Sequence, residues 1–360
     1  MTNWSDMASD LLARPIDQVY GPEARELVAG KVALVTGAGG SIGSELVRQL
    51  HRLGVGEVYY LDKDEYSLYK LQLELEGVGL LDDKHYVLAD VANAAQVQRI
   101  LADVRPDLVF HAAACKHLPL LERSPASAII TNVQGTENVV RAAVAVGVER
   151  FINVSTDKAA RPTSVLGMSK RLAELVSASV AGYNTRIASV RFGNVLGSRG
   201  SFLETLDVQT SRGLPVTVTN AAATRYFMTI PEAAALVIEA AVLAEGGETY
   251  VLDMGSPVLI TDIVARFATL RGIEMPEVRY TGLRPGEKLH EELYDPSEPR
   301  QATAHPRISK VHVEGDKPTP LTWNQTNWLY QDVRSGAAID ELKASMTLLV
   351  STHTSVLIGA

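Results

Sequence analysis

The chain has 360 residues, of which 46% are hydrophobic and 21% charged, and a formal net charge of -8. That length and apolar content can bury a sizeable core, as one large domain or two of ordinary size, while the acidic balance argues against a nucleic-acid-binding surface. The single Cys115 excludes a disulfide framework or a cysteine metal cluster, no apolar run reaches the about 20 residues of a membrane-spanning helix, and MTNWSDMASDLLARP lacks a secretory signal, so the expectation is a cytoplasmic protein with no metal site.

In chain order, residues 1–28 read as a polar leader packed on the outside. Apolar, β-branched runs then recur at VALVTG 32–37, EVYYLD 57–62, KHYVLAD 84–90, DLVFHAA 107–113, RFINVST 150–156 and RIASVRF 186–192. Between them SIGSELVRQLHRLG, ANAAQVQRILADV and VQGTENVVRAAVAVG carry apolar residues at three- and four-residue spacing, the mark of amphipathic helices covering a sheet. The alternation predicts an α/β fold, a Rossmann-like doubly wound parallel sheet spanning 29–197. A smaller mixed region follows over 198–335, with helices expected at 231–244, 260–272 and 285–294 and a strand near 249–255 that returns to the main domain. Residues 336–360 read as a helical tail.

In VALVTGAGGSIGSEL a strand enters a turn bearing Gly37, Gly40 and Gly43 and leaves it as a helix starting with Ser41 and Ile42. Glycines there permit the turn, let the backbone approach a pyrophosphate and aim the helix N-terminus at its charge. Asp62 ends the next strand, 19 residues after Gly43, where a carboxylate meets an adenosine ribose. An acid at that place repels a 2′-phosphate, so NAD is expected in preference to NADP, with Lys63 as an offsetting charge. Asp90 is placed either to meet the adenine edge or to cap the helix in VANAAQVQ.

Ser155, Thr156, Asp157 and Lys158 follow directly on the strand RFINV, at the carboxyl end where open α/β sheets bind ligands. Lys170 lies 12 residues beyond Lys158, on a helix beginning near Ser164, placed either to hold the nicotinamide ribose or to face solvent. Standing alone, Asp157–Lys158 would read as a surface ion pair.

The motifs TGAGGSIGSEL, HAAACKHLPLLERSP, STDKAARP, SKRLAE, VRFGNVLGSRGS, TRYFMTIPEAA and GLRPGEKLHEEL, in that order, resemble the nucleotide-sugar 4,6-dehydratases of the extended short-chain dehydrogenase/reductase superfamily. Within it they are most similar to the UDP-N-acetylglucosamine 4,6-dehydratases of polysaccharide and glycan synthesis, from DLLARP at 10–15 to about residue 310. Many members of that branch carry transmembrane helices ahead of the leader, so the likeness is to the catalytic part. On the cofactor side the resemblance implies Gly37, Gly40, Ser41, Ile42, Gly43, Asp62, Asp90, Val91, Ala112 and Lys170. On the substrate side it implies Lys116, Asn194, Arg199, Arg225, Arg284 and Glu287, with guanidinium groups on phosphate and a carboxylate on uridine ribose. After Gly200–Ser201 this chain has FLETL where the family has a small apolar segment with proline, a departure in the loop near the substrate.

The resemblance also implies the reaction. A hydride leaves C4 for NAD, the C4 ketone acidifies the C5 proton, a base takes it, an acid helps the C6 hydroxyl leave as water, and the hydride returns to C6 with the C5 configuration retained. By the same likeness Asp157 is the acid and Lys158 the base, which requires a protonated Asp and a neutral Lys in the working state. Thr156 stands beside the C4 oxygen. Leu166 occupies the place of the usual tyrosine, four residues before Lys170, where the nearest branch often has methionine, so the apolar wall is kept and the phenol is lost. The C4 proton then goes either to Thr156 and water or to the Asp–Lys pair.

Three other readings stand beside this one: a C5-inverting dehydratase, a UDP-sugar 4-epimerase, and a non-catalytic dinucleotide-binding sensor or scaffold. The epimerase leans on the missing tyrosine, and a pure binder has no use for Asp157–Lys158. The expected partners are a UDP-sugar and, through apolar faces of helices at 125–147 and 164–183, further copies of the chain.

Overall fold

The computed structural model describes residues 4–16, 20–180, 184–311 and 321–353. Parts of the expected leader (1–3, 17–19), second region (312–320), second pairing helix (181–183) and tail (354–360) lie outside the described residues.

Strands β1 Val32–Thr36, β2 Glu57–Asp62, β3 Tyr86–Leu88, β4 Leu108–His111, β5 Arg150–Val154 and β6 Arg186–Arg191 fall on the six apolar runs. They form one parallel sheet in the order β3-β2-β1-β4-β5-β6, continued by β7 Glu248–Leu252, parallel to β6. The Rossmann-like, doubly wound expectation holds, and so does the return of the strand near 249–255. Two short strands that the sequence reading missed, β8 Arg300–Ala302 and β9 Ile308–Val311, close the far edge antiparallel.

Both faces of the sheet are covered. Alternate residues of one strand point to opposite sides, so Val109 joins the apolar cluster of one face while Leu108 and Phe110 join that of the other. The first cluster takes Val97 and Leu101 from α3 (Ala94–Val104), Val139 and Val140 from α4 (Gly135–Val146), and Leu172 and Val176 from α5 (Val165–Ser179). The second takes Leu46 and Leu50 from α1 (Ser41–Leu53), Leu68 and Leu71 from α2 (Glu65–Glu76), and Val237 and Ile238 from α6 (Ile230–Leu243). Each fully buried aliphatic side chain contributes about 1.5–3 kcal/mol relative to exposure, which is why near-continuous apolar runs specify central strands.

Helix α6 begins in a capping box in which Thr229 and Glu232 satisfy each other's backbone N–H groups. Arg14 of the leader reaches the same Glu232 at 2.7 Å and so pins DLLARP to the body.

Residues 285–294 are not helical, contrary to expectation. Pro285–Gly286 make a turn with Gly286 at φ +80°, outside the helical region. The charged groups that follow are drawn to partners across the fold, Glu291 toward Lys158 and Glu292 toward Arg161, which one helix face would not permit.

The tail forms α7 (Trp323–Arg334) and α8 (Ile339–His353). Leu329, Met346 and Val350 are buried in the cluster that holds Leu172 and Val176. Polar contacts fix the docking: Tyr330 donates to Glu137 at 2.6 Å, and Lys343 meets Glu122 at 2.8 Å. The chain's own C-terminal helices therefore rest on the α4/α5 side that the sequence reading reserved for further copies.

Candidate active site

The strand order reverses between β1 and β4, and the crevice at their carboxyl ends is where such sheets bind ligands. Gly37 lies there at φ +67°, and a Cβ on it would stand 2.7 Å from the Ala113 nitrogen. A Cβ on Gly43 would sit 2.0 Å from the Gly37 carbonyl oxygen, so both positions require glycine. The cleft is lined by Gly37, Gly40, Asp62, Asp90, Val91 and Ala112, all expected there, and by Lys63, Thr131 and Arg199. Ser41 and Ile42 open α1, Ser41 on Arg199 and Ile42 against the apolar cluster.

Asp62 accepts from the Gly39 and Asp64 amides at 3.0 Å each, which orients its carboxylate at the end of β2. Asp90 accepts from the Ala92 amide and faces Lys63 at 3.9 Å. It does not cap α3: Asn93 does, accepting from Gln96 at 3.1 Å, because the helix starts three residues later than a cap at Asp90 requires.

A π-helical turn, Ile129–Gln134, contributes Thr131 to the cleft, and such turns are often kept at functional sites. Its Asn132 holds both the N–H and the C=O of Cys115 and donates to Ser169 on α5. That fixes the loop carrying Lys116, whose ammonium donates to the Arg199 carbonyl at 2.6 Å. Burial, with help from Arg199, pushes the Lys116 pKa down. Arg199 reaches back over the glycine turn, donating to Ser67 at 2.9 Å and to the Gly39 carbonyl. The structure thus brings Arg199 to the cleft beside the glycine turn, with Lys116 bonded to its carbonyl.

Beyond β5, Thr156 caps a short 3-10 turn, Asp157–Ala159. Asp157 is fully buried; its Oδ1 accepts from Thr156 at 2.9 Å and from Lys158 at 3.1 Å. The surface-pair alternative fails for that reason. Glu291, which the sequence reading quoted within GLRPGEKLHEEL but did not single out, places Oε1 3.6 Å from the Lys158 ammonium and 3.9 Å from Arg225. Burial disfavours a charge on Lys158, but the carboxylates of Asp157 and Glu291 outweigh it and raise its pKa. The resting site therefore holds the ammonium, not the neutral amine that the base role needs. Among the described residues, Asp157 Oδ2 and Glu291 Oε2 are buried without a hydrogen-bond partner.

Lys170 is buried, and burial pushes its pKa down to about 8 against the opposing pull of Glu174. The solvated alternative is thereby removed. His111, bonded to Thr36 at 2.7 Å and to Thr136 at 3.0 Å, is pushed down to about 3 by burial and by Lys170, and is neutral at ordinary pH. Leu166 is buried in the apolar cluster with Val165 and Met168.

The remaining expected substrate residues are arranged less openly. Asn194 begins a short strand whose amide bonds the Tyr226 carbonyl. Arg225 donates to the Thr224 and Leu289 carbonyls at 2.7 and 3.1 Å. Arg284 and Glu287 pair with each other; burial pushes the Glu287 carboxyl up, but Arg284 outweighs it and lowers its pKa. Gly286 bends this segment onto the start of α5, its φ of +80° placing a notional Cβ 2.7 Å from the Ser164 Cβ.

Behind the site a second buried cluster joins Glu174, Arg191, Glu298 and Arg171, and Ser155 donates to Glu174 at 2.6 Å. No group of three or more His, Cys, Asp or Glu side chains suited to a metal is found among the described residues, and no helix among them is long and apolar enough to cross a membrane.

Known proteins resemble this chain in sequence and fold. Residues 33–313 match the family described as polysaccharide biosynthesis protein. The chain is 43% identical over 316 residues to a probable polysaccharide biosynthesis protein, EpsC of Bacillus subtilis, covering 86% of this chain and 53% of EpsC. It is 43% identical to the capsular polysaccharide biosynthesis protein CapD of Staphylococcus aureus, covering 85% of this chain and 52% of CapD. The chain thus spans about half the length of these relatives. Among solved structures, Pen from Bacillus thuringiensis is similar with a TM-score of 0.73 and 31% identity, over 81% of this chain and 90% of that one. The extent of the family match and the identity to these relatives establish that the chain belongs to the polysaccharide biosynthesis protein family.

Proposed function

We propose that the chain is an NAD-dependent nucleotide-sugar 4,6-dehydratase that converts UDP-N-acetylglucosamine to the 4-keto-6-deoxy sugar with retention at C5. The observation that carries this reading is the Asp157–Lys158 pair beside Thr156, its carboxylate fully buried and its lysine half-buried, at the end of β5, with Leu166 in place of a phenol. The cleft suits the dinucleotide: glycines where a Cβ would collide, a carboxylate oriented for a ribose, and Lys170 on the adjoining helix. NAD, when bound, supplies the hydride acceptor for C4 and the donor for C6.

The chain's own groups do the rest. Thr156 hydrogen-bonds the C4 oxygen, Lys158 exchanges a proton with C5, and Asp157 gives one to the departing C6 hydroxyl. Arg225, Arg284, Glu287 and Asn194 grip the UDP-sugar, the Arg284–Glu287 pair presenting a preformed fork and acceptor. Arg199, which lines the cleft, serves the cofactor side, and Lys116 supports it by donating to its backbone carbonyl.

A second reading is a UDP-sugar 4-epimerase. It uses the same cofactor and uridine-diphosphate grip but has no need of a buried acid–base pair. Proton NMR of the product from UDP-N-acetylglucosamine separates the two. A new C6 methyl doublet with loss of the C6 methylene supports dehydration; a galacto-configured sugar with its methylene intact, or no product, overturns it.

A further inference from the structure

Lys158 faces two carboxylates. Asp157, with Thr156, belongs to its own turn; Glu291 comes from the segment that Gly286 folds onto α5, with Arg225 3.9 Å from the same Glu291 oxygen and Tyr226 beside Asp157. Glu291 is 6% exposed, and its Oε2 is a buried oxygen without a hydrogen-bond partner among the described residues. A carboxylate oxygen so placed is costly while charged and unpaired, and the cost is removed by a proton. A half-buried ammonium lies at hand to provide one, with Oε1 already 3.6 Å from Nζ.

We propose that Glu291 is a positioning residue for proton transfer, the internal acceptor that takes a proton from the Lys158 ammonium and thereby leaves the neutral amine facing C5. The inference rests on the dehydratase reading and supplies what that reading lacks, a route from the charged resting lysine to a base. In the step, an Nζ–H bond of Lys158 breaks and an O–H bond forms on Glu291. The C5–H bond then breaks, its proton goes to Nζ, and its electron pair forms the C5–C6 double bond. Oxidation at C4 releases the C4 hydroxyl proton, which Thr156 passes to the Asp157 carboxylate it already donates to; the C6–O bond then breaks, and the oxygen leaves as water with that proton. Asp157 is again a carboxylate and the pair holds one proton more than it began with, so return of a proton to C5 resets the site.

The test replaces Glu291 by Gln, which keeps the shape and cannot accept the proton. In E291Q the kcat with UDP-N-acetylglucosamine is expected to fall at least about 100-fold near neutral pH, with KM little changed. It should recover as pH rises and solvent removes the lysine proton, and E291D should restore part of the rate. A kcat equal to wild type, or one reduced by the same factor at every pH, overturns the proposal. Independently of turnover, the 15Nζ signal of Lys158, assigned by its loss in K158A, should titrate at lower pH in E291Q than in wild type; an unmoved midpoint overturns the coupling. If the midpoint moves but wild type makes no dehydrated sugar, the Glu291–Lys158 coupling stands and the dehydratase reading falls.

Discussion

Two buried ionic clusters meet at Ser155, and they are built on opposite plans. In the Glu174–Arg191–Glu298 cluster all four carboxylate oxygens have donors: Arg191 alone reaches each carboxylate through two nitrogens, at 2.6 to 3.0 Å. Arg171 and Ser155 complete the set. In the Asp157–Lys158–Glu291 cluster each carboxylate keeps one buried oxygen without a partner. Saturation of its carboxylates, though not of Arg171, whose Nε and Nη2 are buried without partners among the described residues, makes the first a brace, tying α5 and β6 to the segment that precedes the edge strands. On the proposed function, incompleteness makes the second a place where protons and substrate hydroxyls are exchanged. A fully paired site would have nothing left to offer a substrate.

The contrast is broken most severely in the open cluster. Lys158→Ala is expected to cut turnover by about 100-fold or more while the protein still binds NAD, read by product NMR and by equilibrium dialysis of the cofactor. Turnover near wild type would remove Lys158 from proton transfer at C5. The closed cluster should respond the other way. Arg191→Ala strands two buried carboxylates and should cost about 3–5 kcal/mol of stability, measured by urea unfolding; a loss below about 1 kcal/mol would show that the cluster is not a brace.

The brace also sets an acid limit. Burial pushes the Glu174 carboxyl up, but Arg191 and its other partners outweigh that and bring it down to about 2. A carboxylate depressed in the folded state adds stability above its unfolded value near 4.5 and loses it as pH falls toward the folded value. Lowering the pH from about 5 to about 3 should therefore remove about 2 kcal/mol, a slope that E174Q should lack. An equal slope in both proteins would place the acid sensitivity elsewhere. The smallest effect belongs to Leu166: Leu166→Met conserves volume and polarity and should cost less than about 1.5 kcal/mol, with turnover close to wild type. A large loss of turnover would show that Leu166 shapes the reacting sugar.

The sequence disclosed the framework because period and punctuation are local properties. Six apolar runs and a glycine turn sit within a residue or two of β1 to β6 and the crevice, and Asp62 is where its spacing put it. What escaped was set by distant partners. Glu291 stands in a stretch whose spacing suggests a helix, yet Pro285–Gly286 turn it, and its meaning comes from Lys158, 133 residues away in the chain. Arg199 lay in a loop whose direction the sequence did not fix, and folding sent it to Ser67 and the glycine turn. Asp90 lost the cap to Asn93, a choice of three residues that local propensity does not resolve. The C-terminal helices read as a tail, because their buried face becomes visible only against α4 and α5.

On the proposed function, the open cluster moves a proton at C5 of a nucleotide sugar. The most direct test is NMR of the product formed from UDP-N-acetylglucosamine in deuterated water. The account predicts a 4-keto-6-deoxy sugar carrying solvent deuterium at C5 with the original configuration; a product that keeps its protium at C5 would contradict it.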